Sequence, residues 1–295
     1  MHRSVPSTIR SAFTLIELLV VISIITLLVG LLLPALSSAR DAGRAAVNLT
    51  NVRSLGQGLH HYMNDWEALI PVRLPPGERH QKSQRLEARW HWFVGDYVGY
   101  PFKAASDADR NIITTGAPLP RLDNAVFLDP NHTLADLGGS SGNVDAARNG
   151  SYGYNYHYLG NSRVDNPRPH YDNFPVRLSL IKTWDRTICI AGSLGNQSVF
   201  AESGKRGEHS YTLDPPRLDT KRNNAQKFAQ GSGMSPVEAR HKQRGAVAFL
   251  DGHAANMTLA ELGYVVLDED RNQVAHNRGN NSLWNGLGTD PEPSR

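Results

Sequence analysis

Phe13-Thr14-Leu15-Ile16-Glu17-Leu18-Leu19-Val20-Val21-Ile22 puts a carboxylate at the head of an apolar run. From Leu18 to Leu33 all 16 residues are apolar or small except Ser23 and Thr26, and Phe13 to Leu36 makes 24 residues with Glu17 as the only charge. At about 1.5 Å per helical residue this run reaches about 36 Å, enough to cross a hydrocarbon core of roughly 30 Å. The expectation is a membrane-anchored N-terminus. Arg3 and Arg10 precede the run and no acid comes before Glu17, so the positive-inside tendency keeps the leader cytoplasmic and sends the C-terminal bulk outward. A secretory signal peptide shares the basic start, and Ala35-Leu36-Ser37 imitates its cleavage site, but its apolar region is typically about 7–15 residues and has no use for an ionised Glu. A plain anchor leaves the same acid unexplained, because a carboxylate in lipid is costly and normally has a partner.

A third reading accounts for the acid. Ser11-Ala12-Phe13-Thr14-Leu15-Ile16-Glu17 resembles the processing signal of type IV prepilins and type II secretion pseudopilins: a short basic leader, a small residue, then Phe-Thr-Leu-Ile-Glu. The resemblance implies that a prepilin peptidase cuts between Ala12 and Phe13 and that the new amino group of Phe13 is methylated. Ala12 stands where that family usually has Gly, a departure that bears on the rate of cleavage. It also implies that Glu17 faces the free amino terminus of a neighbouring subunit in a filament core. An acid whose partner comes with assembly is reasonable in a low-dielectric setting, whereas the same acid alone in lipid is not.

Pro34 lies 21 residues after Phe13, where a missing N–H and a ring clash loosen a helix or mark the membrane exit. Beyond it the pattern becomes one-sided. Ala42, Ala45, Ala46, Leu49, Val52, Leu55, Leu59, Tyr62 and Met63 recur at spacings of three and four, with Arg40, Asp41, Arg44, Arg53 and Gln57 on the other face. Gly43, Gly56 and Gly58 each weaken that helix by propensity. Continuous from Phe13 to about Asn64, it would have roughly 52 residues and a length of about 78 Å. The expected organisation is a leader over 1–12, a transmembrane half-helix over 13–36, an amphipathic half over 37–64, and a head over 65–295.

The head is expected to be α+β, a pilin-like layout with the long helix packed on an antiparallel sheet. Trp90-His91-Trp92-Phe93-Val94 suits a packed strand or helix, and Thr187-Ile188-Cys189-Ile190-Ala191 a strand with Cys189 as a small buried hydrophobe. Ser151 to Tyr156 alternates aromatic with small or polar residues, as a half-exposed strand does. Gly138 to Asn143, Asn161 to Pro175 and Gly204 to Pro236 read as surface loops or insertions. The single cysteine rules out an intramolecular disulfide, and a net charge of +3 without a basic block gives no support to nucleic-acid binding.

A second constellation lies near the C-terminus. Nine residues separate His241 from Asp251-Gly252 in Arg240-His241-Lys242-Gln243-Arg244-Gly245-Ala246-Val247-Ala248-Phe249-Leu250-Asp251-Gly252-His253. Ala246 to Leu250 reads as a buried strand, Asp251-Gly252 as a tight turn, and His253 to Met257 as the returning strand. The spacing is similar to the H-x9-DG motif of a C-terminal domain that accompanies prepilin-type signals in one large pseudopilin-like group. Asn51 to Gly56 and Asn64 to Pro71 are similar to the corresponding region of that group.

His241, Asp251 and His253 are plausible zinc ligands, and a His with an Asp is a possible acid/base pair, yet the chain has neither an HExxH nor an obvious nucleophile motif. Asp251 stabilising the turn and His241 hydrogen-bonding beside the hairpin is the simpler reading. Asp268, Asp270 and Asn272 have the alternate spacing of a calcium loop but lack its glycine and distal Glu. Some major pseudopilins bind calcium in a C-terminal loop, which keeps that ion as a candidate; no other cofactor is expected. The chain is therefore expected to be a non-enzymatic structural subunit of a type II secretion pseudopilus or type IV pilus, held in the inner membrane before assembly. Its implied partners are the prepilin peptidase, other pilin or pseudopilin subunits and membrane lipid, with no nucleic acid. The alternatives are a minor tip adhesin or substrate-recognition subunit, and a membrane-tethered enzyme or sugar-binding protein sorted by the prepilin signal.

Overall fold

The apolar run and the amphipathic stretch after it form one helix, α1 (Leu15–Trp66), with Pro34 inside it. This computed structural model describes residues 15–71, 74, 77–81, 88–99, 125–132, 151–160, 177–203, 211–217, 234–270 and 272–290. The leader, Ala12 and Phe13 lie outside them, as do the 138–143 and 161–175 loops and most of 204–236. Helix α1 ends two residues beyond Asn64, where Glu67 adopts a left-handed conformation (φ 51°) and its N–H donates to the Met63 carbonyl at 2.9 Å.

The chain divides inside α1 into two units, Met1–Gly43 and Arg44–Arg295. In the first, every described residue from 15 to 43 is exposed. In the second, α1 buries Asn48, Val52, Leu55, Gly56, Gly58, Leu59 and Met63. The buried stripe differs from the apolar pattern: Ala42 and Ala46 are exposed, Gly56 and Gly58 are buried, and so is Asn48, which accepts a 2.7 Å hydrogen bond from the Tyr152 hydroxyl. That bond removes the penalty of an unsatisfied buried amide oxygen.

Gly56 and Gly58 are packing residues. A Cβ on Gly56 would lie 2.7 Å from Ala248 Cβ, and one on Gly58 would lie 2.8 Å from Val98 Cγ1 and 3.0 Å from Val94 Cγ1. The helix therefore gives up propensity at these positions to let two neighbours approach. One is the short helix α2 (Trp90–Val94) and the turn after it; the other is the sheet.

Four antiparallel strands make that sheet, in the order β1 (Tyr152–Tyr154), β2 (Ile188–Gly192), β3 (Arg244–Phe249), β4 (Ala254–Thr258). Side chains alternate across β3. Ala246 and Ala248 join the core that contains α1, whereas Val247 and Phe249 join a second core on the opposite face. A register shift between Ile188 and Ile190 lets Cys189 and Ile190 both serve the α1 face, as a bulge does. Strand β1 is buried throughout, which corrects the half-exposed reading of Ser151 to Tyr156. Gly153 lies under the backbone of Thr212, so the alternation there is of large and small residues and not of apolar and polar ones.

The second core is closed by a two-stranded sheet, β5 (Tyr264–Asp268) and β6 (Gln273–Gly279), and by the segment around Trp284, whose indole N–H donates to the Leu262 carbonyl at 2.8 Å. Helix α3 (Gln197–Ser203) follows β2. Between β4 and β5 the chain makes one helical turn with both ends capped. Thr258 and Glu261 bond reciprocally: Glu261 Oε2 accepts from Thr258 N–H at 2.7 Å and Thr258 Oγ1 accepts from Glu261 N–H at 3.2 Å. At its far end Gly263 (φ +92°) bonds to the Ala260 carbonyl and Tyr264 to the Leu259 carbonyl, the pairing of a Schellman motif. The α+β layout with a long apolar N-terminal helix thus holds.

Candidate functional site

Two regions carry the features singled out by the sequence. The first is residues 15–36 of α1, a helix long and apolar enough to cross a membrane. Leu15 is 82% exposed, Leu31 70% and Leu32 65%, so the run spends none of its apolar surface on the fold of its own unit. Glu17 sits in the first turn. Ser23 and Thr26 donate their hydroxyls to the carbonyls of Leu19 and Ile22, each at 2.7 Å. With that bond made inside the helix, neither hydroxyl needs water, as lipid or a dry helix interface requires. Ser23, Thr26 and Gly30 line an open groove with Ile22, Leu27 and Leu31.

The second region is the His241 to Gly252 motif, which the structure pulls apart. Strand β3 lies between its two ends, and six extended residues span roughly 20 Å. His241 therefore forms no acid/base pair with Asp251. Instead it opens a two-residue turn: His241 and Arg244 exchange backbone hydrogen bonds, and Lys242 (φ 51°) and Gln243 (φ 59°) both take the left-handed conformation of a type I′ turn. The ring faces a loop distant in sequence. Asn131 Nδ2 donates to His241 Nε2 at 3.1 Å, and Asp129 Oδ2 lies 3.8 Å from the same nitrogen. Asp129 Oδ1 also accepts from Asn131 N–H at 2.8 Å, which fixes that loop.

A polar network adjoins this end of the strand. His132 Nδ1 lies 2.9 Å from Ser151 Oγ, and its Nε2 lies 3.6 Å from Glu238 Oε2. The other Glu238 oxygen accepts from Arg240 Nε and Nη2 at 2.9 and 2.7 Å. Asp129, His132, Ser151 and Glu238 are all buried. His241 thus fastens the loop over 125–132 to the entrance of β3.

At the other end, Asp251-Gly252 belongs to a three-residue loop and not a two-residue one. The Phe249 carbonyl accepts from Gly252 N–H at 3.0 Å, Phe249 N–H donates to the His253 carbonyl at 2.9 Å, and Gly252 has φ +88°. This is a turn closed by a glycine in the left-handed region, which an L side chain adopts only with strain. Asp251 Oδ1 accepts from His253 N–H at 3.1 Å and from His253 Nδ1 at 2.6 Å, and the His253 ring stacks on Phe249 with centroids 4.3 Å apart. The loop seats on α1: His60 Nδ1 donates to the Leu250 carbonyl at 3.0 Å, and a Cβ on Gly252 would lie 3.5 Å from Gln57 Cγ.

Asp268, Asp270 and Asn272 occupy the β5–β6 connection. Asn272 is buried in a left-handed conformation (φ 52°), and its Oδ1 accepts from Ala239 N–H at 2.8 Å. That oxygen is turned to the protein and not to an ion shared with the two carboxylates. Among the described residues no three His, Cys, Asp or Glu side chains are grouped to hold a metal.

Sequence reasoning missed one buried pair. His157 Nε2 donates to Asp214 Oδ1 at 2.7 Å, with each side chain 3% exposed. Asp214 Oδ2 accepts from Ser235 N–H at 2.7 Å, and the Asp214 carbonyl accepts from the Tyr264 hydroxyl. Burial first, and the Asp214 charge second, push the Tyr264 and Tyr156 phenols well above the usual range. The partners are 57 residues apart, and no local spacing announces them. Cys189 is buried, its thiol donates to the Ala248 carbonyl at 3.2 Å, and burial pushes its pKa up, as suits a packing residue.

Compared with known proteins, the chain matches no family model, no curated protein and no solved structure.

Proposed function

We propose that this chain is a non-catalytic, pseudopilin-like structural subunit that sits in the inner membrane through α1 and assembles through that helix into a pseudopilus or pilus-like filament. The observation that carries this reading is Glu17 in the first turn of an apolar helix whose described residues 15–36 are all exposed. Such a surface needs lipid or other helices to cover it, and the acid in its first turn falls where the prepilin-like signal read from Phe13 to Glu17 has its Glu. The intrahelical bonds of Ser23 and Thr26 and the groove beside Gly30 suit either surrounding, because small residues let helix backbones approach closely.

The non-enzymatic part of the reading rests on the separation of His241 from Asp251 by the length of β3. Each end of the motif is engaged in holding a loop. His253 and Asp251 form an exposed pair on the hairpin loop, hydrogen-bonded to each other and to the backbone.

Two experiments test the proposal. Mass spectrometry of the mature protein is expected to find N-methylated Phe13; a mature start near Ser37 means a signal peptide, and a retained Met1 a plain anchor. Glu17→Gln is expected to abolish assembly while leaving the protein in the membrane. Filaments of normal yield from that variant would defeat the assembly role given to the carboxylate.

A further inference from the structure

The four-stranded sheet has two edges, and among the described residues a neighbouring segment covers one of them. Strand β1 is flanked by residues 211–213: Tyr154 N–H donates to the Tyr211 carbonyl at 3.1 Å, and Leu213 N–H donates to the Tyr154 carbonyl at 2.9 Å. Strand β4 lies at the other edge and pairs with β3 alone. The 2.9 Å bond from Phe249 N–H to the His253 carbonyl fixes which backbone groups of β4 turn outward. Alternating from that bond, Ala255 and Met257 turn theirs to β3, and Ala254, Asn256 and Thr258 turn theirs away.

An open edge is a template for another strand, and proteins blunt it with lysine, proline, a bulge or an inward charge. Ala254-Ala255-Asn256-Met257-Thr258 has none of these: it is uncharged, lacks proline and pairs with β3 in unbroken register. Its outward groups are occupied instead by groups from outside the strand. Arg244 Nε and Nη2 both donate to the Asn256 carbonyl at 3.1 Å. Glu261 Oε2 accepts from Thr258 N–H at 2.7 Å, and the Thr258 carbonyl accepts from Leu262 N–H at 3.1 Å. The two charged side chains hold each other, with Arg244 Nη2 3.0 Å from Glu261 Oε2. Among the described residues, what stays open is the N–H and carbonyl of Ala254 and the N–H of Asn256.

We propose that Arg244, anchored by Glu261, is a guard on the β4 edge, and that the strand it excludes is β4 of a second copy. The edge is self-complementary. With a two-fold axis at Ala255, Ala254 of each copy faces Asn256 of the other, and the two pairs exchange four N–H···O=C bonds. Two of the four need an Asn256 carbonyl, the group that Arg244 holds. Pairing cannot spread further along the strand, because both backbone groups of Thr258 are already bonded. The guard adds little to the fold itself: its side chains are 44% and 48% exposed, and an ion pair in that setting is screened by water. The proposal stands apart from the filament reading, since its readout is the difference between a variant and the wild type.

The test uses the full chain in detergent over a concentration series. Arg244→Ala is expected to give a particle of twice the wild-type protein mass by light scattering, with exchange of the Ala254 and Asn256 amides slowed about tenfold or more as it forms. Arg244→Gln, whose side chain falls short of the Asn256 carbonyl, is run beside it and is expected to behave alike. Adding Asn256→Pro to Arg244→Ala removes an N–H that makes no bond to β3, a place where an edge strand accepts proline, and is expected to restore the wild-type mass. Unchanged mass and unchanged exchange in both arginine variants overturn the guard. Association that survives the proline uses another surface and overturns it too. A wild-type Asn256 amide that already exchanges as slowly as those of Ala255 and Met257 means a covered edge, and defeats the premise.

Discussion

Replacing Gly56 with alanine sets two effects of known sign against each other. By propensity alone, an interior helical glycine changed to alanine gains about 1 kcal/mol. The new Cβ, however, would lie 2.7 Å from Ala248 Cβ, on a strand whose backbone is fixed by partners on both sides. Carbon atoms rest about 3.5–4.0 Å apart, so α1 and β3 must separate by roughly 1 Å, and overpacking of that kind costs about 1–3 kcal/mol. The expected net effect is a loss of about 1 kcal/mol, or about 2–4 °C in Tm for a head of this size. Gly43 is the control, because a Cβ there meets nothing within 4 Å. Gly43→Ala should be neutral or raise stability by up to about 1 kcal/mol. Urea unfolding of the full chain in detergent, followed by tryptophan fluorescence, measures both. Adding Ala248→Gly to Gly56→Ala removes the crowding atom, so the pair should be non-additive by about 1 kcal/mol or more. If Gly56→Ala stabilises as Gly43→Ala does, and is additive with Ala248→Gly, the close approach of helix and sheet is not what the glycine serves.

Four further outcomes are expected. Gly252→Ala, at φ +88°, should cost about 1–2 kcal/mol in the same unfolding assay. Asp214→Ala strips His157 and the Ser235 N–H of their acceptor in a buried site and should cost about 3 kcal/mol, with Asp214→Asn losing less because it keeps an oxygen there. Burial, and then the neighbouring Tyr97, pushes the Tyr62 phenol from 10.0 up to about 12, and burial raises Tyr154, Tyr156 and Tyr264 as well. A raised folded pKa contributes stability that is whole below the unfolded value and disappears as pH rises through the folded one, so denaturation midpoints should fall from about pH 10 upward, with phenolate absorbance delayed relative to unfolded protein. Cys189, buried with its thiol pKa raised, should resist alkylation at pH 8 until the protein is unfolded.

Helix α1 and the β2, β3 and β4 strands were legible because their signals are local: an apolar run, a one-sided period of three and four, and short apolar runs beside a glycine turn. What local pattern could not give was the reason for a residue. Gly56 and Gly58 read as helix weaknesses and are contact points; Gly153 read as a small residue on a half-exposed strand and lies buried under the Thr212 backbone. The His241 to Gly252 motif was found as a spacing, but the six extended residues of β3 place its ends far apart. The partners of His241, on Asp129 and Asn131, come from more than a hundred positions away. The His157–Asp214 pair was illegible for the same reason, since a buried polar network is specified by tertiary packing and not by period.

The motif spacing becomes intelligible once β3 is seen as the strand that both cores share. Its alternate side chains, Ala246 and Ala248 against Val247 and Phe249, bind the α1 face and the hairpin face to a single piece of backbone. A histidine bonded to a remote loop fixes where the strand enters; a turn glycine seated against Gln57 and a carbonyl bonded to His60 fix where it leaves relative to residues 44–66 of α1. Nine residues between these anchors is the length of a two-residue turn, a six-residue strand crossing the head once, and the start of the loop that reverses it. Pinning both ends of the shared strand therefore fixes the α1 face and the hairpin face relative to each other, and that accounts for the spacing by the geometry of the fold alone.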